Sequence, residues 1–166
     1  MLAIGIDPGT AITGYGLVKE GEDGSLNVVE FGVIQTSAEQ AMPDRLVKLY
    51  QSLKEIIDLH RPQSGAVEKL FFARNVRTAL SVGQARGIAL LALAESGVTI
   101  AEYSPNEIKQ AVAGYGGAEK VQVQMMVKAL LDLDQVPQPD DAADALAVAI
   151  CHLHSARMRS LEDRVE

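Results

Sequence analysis

A chain of 166 residues, 48% hydrophobic and 22% charged, is long enough to bury its own core and holds no apolar run that could span a bilayer, so one soluble domain is expected. The single cysteine, Cys151, excludes an internal disulfide and sits in an apolar run as a small hydrophobe, while His60, His152 and His154 form no zinc-binding pattern. The net charge of −7 argues against a phosphate-binding surface, yet Lys69 to Lys128 holds seven basic residues against four acidic ones, so a cationic face inside an acidic protein stays open.

The N-terminus has no basic region before its first apolar residues and reaches Asp7 quickly, which does not suit a signal peptide; a cytoplasmic location is expected. Leu2 to Ile6 reads as a central strand ending in the turn Asp7-Pro8-Gly9. Thr13 to Val18 and Leu26 to Ile34 read as strands flanking Asp23-Gly24, a hairpin signal. Leu46, Leu49, Tyr50, Leu53, Ile56 and Ile57 recur at helical spacing until Arg61-Pro62 stops them. Gly65 to Glu68 is a short strand, Asn75 to Ser96 a long apolar helix, and Val98 to Tyr103 a further strand closed by Ser104-Pro105. Helices follow at Pro105 to Val112 and Ala118 to Leu131, separated by Gly114-Tyr115-Gly116-Gly117, and the last runs from about Asp140 to Arg159. This order predicts a mixed α/β protein: an antiparallel three-stranded meander plus two parallel strands in one sheet, with helices on both faces. Chemistry in such sheets gathers at strand ends, where Asp7 and Glu68 lie.

Asp7 and Glu68 taken singly fit a turn carboxylate and a solvated strand end as well as a ligand. Asp144 is more telling, because Ala142 to Ile150 is otherwise apolar nearly all round, and no Lys or Arg lies within one helical turn. An ionised carboxylate buried there is costly unless a cation compensates it. Asp141, three residues earlier, shares its face; Asp140 and Asp141 both also fit the N-cap role. Four acids without a matching basic cluster repel, so their convergence calls for Mg²⁺ or Mn²⁺ in preference to zinc. Gly9 to Gly14 is not a phosphate loop of the Walker kind, since no Gly-Lys-Ser/Thr follows. Phe71 and Phe72, beside Lys69, Arg74 and Arg77, fit either core packing or stacking on bases near the site. Lys109 and Lys120 flank the Gly-rich loop and fit either ordinary surface positions or phosphate contacts.

Ile4-Gly-Ile-Asp-Pro-Gly9, Glu68 followed by Phe71, Ala79 to Gly87 (ALSVGQARG), Ala118 to Gln124 (AEKVQVQ) and Asp141-Ala-Ala-Asp-Ala-Leu146 together resemble the RuvC family of bacterial Holliday junction resolvases, in order over nearly the whole chain. The resemblance implies a ribonuclease H-like domain over residues 1–158 with a polar tail at 159–166. It further implies a homodimer through the helix Asn75 to Ser96, partnership with the RuvA and RuvB branch-migration proteins, and paired symmetric nicks in a four-way DNA junction. Asp7, Glu68, Asp141 and Asp144 match the family's metal-binding catalytic acids, Phe71 its junction-contacting aromatic, and Lys109 and Lys120 its DNA-contacting or catalytic lysines. Hydrolysis with two metal ions, one activating water and one at the leaving 3'-oxygen, is the expected mechanism, with Lys120 stabilising charge on the phosphate. An ATP-handling phosphotransferase would need a second large domain, and a non-catalytic junction-binding module would not need the acids.

Overall fold

The computed structural model describes residues 1–69 and 76–162, those at 76, 77, 161 and 162 in backbone only. Its elements are β1 (Leu2–Asp7), β2 (Ile12–Glu20), β3 (Leu26–Gln35), α1 (Met42–His60), β4 (Ser64–Glu68), α2 (Val76–Glu95), β5 (Thr99–Tyr103), α3 (Pro105–Ala113), α4 (Lys120–Leu130) and α5 (Asp140–Glu162). The strands lie in the order β3-β2-β1-β4-β5, antiparallel from β3 to β1 and parallel from β1 through β4 to β5. This is the expected mixed five-stranded sheet of a ribonuclease H-like fold.

Local chemistry sets the element ends. Gly24, at φ +82°, turns the hairpin between β2 and β3, and Gly21 N–H donates to Ser25 O at 2.8 Å. Arg61 ends α1 in the left-handed region with its N–H on Ile57 O, and Pro62 bars continuation. Ser104 and Glu107 exchange side-chain and backbone hydrogen bonds at the start of α3, and Gly114, at φ +86°, closes it. α4 starts two residues later than the apolar pattern suggests, because Glu119 and Gln122 form a capping box there while Ala118 packs into the core before the helix begins. α5 runs past Arg159 through Glu162, so the first part of the expected tail is helical; Ser160, Leu161 and Glu162 contain no helix breaker.

Each face of the sheet carries its own core. Strand side chains alternate, so Ile4, Ile6, Leu17 and Val67 point to one side, where they pack with Leu49, Leu53 and Ile57 of α1 and Ala85, Ala89 and Leu93 of α2. Ala3, Val18 and Ala66 point to the other, under α3, α4 and the apolar stretch from Leu146 to Leu153 of α5. The second face is built from small residues: a methyl group added at Gly5 would lie 2.2 Å from the Ala145 carbonyl oxygen, and one at Gly14 would lie 1.9 Å from that of Asp141. α5 therefore lies with its backbone almost on the sheet.

Candidate active site

The same alternation brings the acids together. Asp7 belongs to the set Ala3, Gly5, Asp7, and Glu68 to the set Ser64, Ala66, Glu68, so both carboxylates leave the sheet on the α5 side. β1 and β4 are adjacent and parallel, with Ile6 opposite Val67, so the two acids end neighbouring strands at the same edge. Gly14 is the register partner of Asp7, and the backbone of Asp141 rests on Gly14. The first turn of α5 thus arrives beside Asp7, and the three-residue spacing puts Asp141 and Asp144 on one side of the helix. The turn after Asp7 is held by Thr13, whose hydroxyl donates to Gly9 O at 2.6 Å and accepts from Gly9 N–H at 3.2 Å.

The acids sense one another. Burial pushes the Asp7 carboxyl up to about 7; the charges of Glu68, Asp144 and Asp141 add to the rise, and Lys120 opposes it. Glu68 is raised by burial and by Asp144, with Lys109 and Lys120 pulling the other way. Asp144 is raised by burial too, against the hydrogen bond and charge of Lys120. Burial disfavours charge on the Lys120 ammonium, but its hydrogen bonds and ion pairs with Asp144 and Asp140 outweigh that and hold it above its ordinary value.

Two expectations about α5 change. Asp144 is not sealed in an apolar environment: its side chain is 33% exposed, and Lys120 Nζ lies 3.0 Å from its Oδ2. The cation comes from α4, 24 positions back in the sequence, which no count along one helix can detect. Asp140, weighed above as a cap, turns its carboxylate to α4, accepting from Gln124 Nε2 at 3.1 Å and pairing with Lys120 Nζ at 3.3 Å.

The donors fit a hard divalent cation in chemistry: all are carboxylate oxygens, and Asp7 sits where burial and three like charges make its ionised form costly without a cation. As they stand, no three His, Cys, Asp or Glu side chains among the described residues are arranged to hold an ion. A cation held by Asp144 would compete with the Lys120 ammonium, 3.0 Å from its Oδ2. One consequence is measurable. Without metal, the folded chain keeps a proton on Asp7 that the unfolded chain loses near pH 3.8, so stability falls as pH rises from about 4 to about 7. Wild type in EDTA should lose more melting temperature across that window than Asp7→Asn, in which the titrating group is gone.

A pocket of about 280 Å³ opens beside the acids. Glu68, Asp144, Lys109 and Lys120 stand around it, and Pro105, Ile108, Val123 and Val148 supply apolar walls. Both lysines singled out in the sequence are thus at the site. Lys69 is exposed and pairs with Glu107 at 3.9 Å. Phe71, Phe72, Arg74 and the side chain of Arg77 lie outside the described residues. Sequence reasoning missed Arg86, which pairs with Glu102 and donates from Nε to the Glu68 carbonyl at 3.3 Å, tying α2 to the end of β4. Its only signal was its place in the ALSVGQARG motif.

The histidines stay clear of the acids. His60 ends α1 and pairs with Glu30 at 2.9 Å, the buried His152 bonds Tyr103 OH at 3.0 Å, and His154 meets Ala111 O at 3.1 Å. Cys151 is buried, and burial pushes its thiol up to about 11, as suits an inert core residue.

A model of the family "Crossover junction endodeoxyribonuclease RuvC" matches residues 3–152. A protein of that name from Chloroflexus aggregans is 56% identical over 156 residues, covering 94% of both chains. Another from Roseiflexus is 54% identical over 161 residues, covering 96% of this chain and 95% of the relative. Among solved structures, Thermus thermophilus RuvC superimposes with a TM-score of 0.89 at 38% identity, covering 95% of this chain and 96% of that one. The T. thermophilus protein in complex with a Holliday junction substrate gives 0.87 at 35% identity, with the same coverage. The yeast mitochondrial Holliday junction resolvase, 14% identical with a TM-score of 0.68, shares the fold. Among the described residues no helix is long and apolar enough to cross a membrane. With its site geometry and these relatives together, the chain belongs to the RuvC family of crossover junction endodeoxyribonucleases.

Proposed function

We propose that the chain resolves four-way DNA junctions by paired, symmetric nicks, using Asp7, Glu68, Asp141 and Asp144 as ligands for divalent cations. The observation that carries this reading is the delivery of these carboxylates by β1, β4 and α5 to one sheet edge. Mg²⁺, or Mn²⁺ in its place, at two ions per site, would supply an activated water and neutralise the leaving 3'-oxygen, giving 5'-phosphate and 3'-hydroxyl ends. The chain's own residues prepare that chemistry. The acids set the anionic floor, Lys120 offers its ammonium to charge developing on the phosphate, and Lys109 holds the backbone at the rim of the pocket. Lys69, Arg74 and Arg77 are further phosphate contacts, and Phe71 and Phe72 are the aromatics that stack on or wedge between bases. The junction complex of the T. thermophilus relative supports the substrate.

A homodimer through α2 accounts for the pairing of nicks, since two-fold symmetry sets two sites against a pseudo-symmetric junction. Leu80, Gln84, Gly87, Leu91 and Ala94 are exposed at helical spacing on α2, with Leu80 at 68% and Leu91 at 48%, a stripe apolar but for Gln84 that a second copy would cover. RuvA and RuvB are the proposed partners, and the bacterial cytoplasm, where chromosomal junctions form, the proposed location. The test incubates the protein with an end-labelled four-way junction and with a matching duplex, in Mg²⁺ and in EDTA. Two nicks at symmetry-related positions, ligatable without repair, are expected in the junction with Mg²⁺ only. Equal cutting of the duplex, or cutting in EDTA, would overturn the proposal.

A further inference from the structure

We propose that Asp140 is a positioning residue for Lys120, retaining the ammonium at the rim of the site when a cation takes Asp144. This rests on the role given above to Lys120. Lys120 is the first residue of α4 and Asp140 the first of α5, so the two helices that border the pocket meet at their starts through these side chains. Lys120 Nζ stands between two carboxylates, 3.0 Å from Asp144 Oδ2 and 3.3 Å from Asp140 Oδ2. The other oxygen of Asp140, Oδ1, accepts from Gln124 Nε2 at 3.1 Å, so a second α4 side chain, one turn after Lys120, fixes that carboxylate.

The two carboxylates have different duties. Asp144 lies on the pocket and couples to Asp7 and Glu68. Asp140 is 55% exposed and does not border the pocket. A cation bound by Asp144 repels the ammonium that now shares it. Lys120 has a long stem and three donors, and without a second acceptor it would swing into solvent, away from the phosphate it must meet. Asp140 gives it a place to stay, one ångström-scale shift from where it stands. An exposed ion pair of this kind does little for stability, so its effect should appear in rate and hardly in melting temperature.

The test measures single-turnover junction cleavage for Asp140→Asn, Asp140→Glu, Gln124→Ala, Lys120→Met and the double variant Asp140→Asn/Lys120→Met, with junction affinity and melting temperature alongside. Asp140→Asn keeps the size and polar head of the side chain and should slow cleavage about fivefold, the scale of one exposed charged hydrogen bond, with affinity and melting temperature unchanged. Asp140→Glu should restore most of the rate, Gln124→Ala should lose less than Asp140→Asn, and the double variant should cleave no slower than Lys120→Met alone. If Asp140→Asn slows the Lys120→Met protein as much as wild type, Asp140 acts as a ligand or through the fold, and the inference fails. It fails alone if Lys120→Met is slow while Asp140→Asn cleaves at the wild-type rate. Wild-type cleavage by Lys120→Met would instead remove the role of Lys120 on which it stands.

Discussion

Asp7→Asn and Asp144→Asn, made singly, should each slow junction cleavage by about a thousandfold or more while junction affinity stays within a few fold. The amide keeps the shape of the carboxylate but removes a charged oxygen ligand, which a hard divalent cation needs more than it needs the volume. Binding should survive because the groups proposed to contact DNA, Lys69, Lys109, Lys120 and the segment containing Phe71, are not altered. The two variants should part in one respect. Asp7→Asn relieves the most strained carboxylate of the set and should raise the melting temperature in EDTA above pH 7. Asp144→Asn leaves Lys120 with Asp140 alone and should change stability less. Gel-shift affinity in Ca²⁺ or EDTA, single-turnover cleavage in Mg²⁺ and a melting curve separate the three effects.

Gly14→Ala should lower cleavage by about a hundredfold and cost roughly 1–3 kcal/mol of stability, although residue 14 carries no chemistry. The added methyl group would sit 1.9 Å from the Asp141 carbonyl oxygen and 3.2 Å from Ala142 N, and backbone cannot give way as a flexible side chain would. The start of α5 must rise from the sheet, taking Asp141 and Asp144 away from Asp7 and Glu68. Gly5→Ala meets Ala145 O at 2.2 Å and should act in the same direction, lifting the helix one turn further on. A rate that falls while junction affinity holds, with a lowered melting temperature, would show that the closeness of helix and sheet sets the site. A Gly14→Ala protein that cleaves and melts like wild type would show that α5 can shift without cost.

Much of this was legible in the residues because it follows from period and punctuation. Alternation in Leu2 to Asp7, the Asp-Gly turn, the Arg61-Pro62 stop and the Ser104-Pro105-Asn106-Glu107 start each express one local rule, and each recurs in the structure at or within about two residues of its expected place. The convergence of Asp7 with Glu68 followed from the sheet, since a parallel pair of strands ends on one side. What was not legible came from contacts across the chain. Along its own helix Asp144 stands in the otherwise apolar stretch Ala142 to Ile150, but its environment is set by α4, which brings Lys120 to it. Asp140, at the start of a helix, fits the N-cap role by position, yet its carboxylate is claimed by Gln124 and Lys120 across the gap between helices. Arg86 carries no signal beyond its place in the ALSVGQARG motif, and only the fold brings it to the Glu68 carbonyl. Nothing in the local sequence marks the use of Gly5 and Gly14, letting α5 lie against the sheet, which belongs to the packed state.

The measurement that bears most directly on the carboxylate centre is the number of Mn²⁺ ions bound per chain, read by electron paramagnetic resonance on protein saturated with a four-way junction whose scissile linkage cannot be hydrolysed. The double variant Asp7→Asn/Asp144→Asn should bind at least one Mn²⁺ fewer than wild type while holding the junction equally well. Equal Mn²⁺ binding by the two proteins would contradict a metal centre built from these acids.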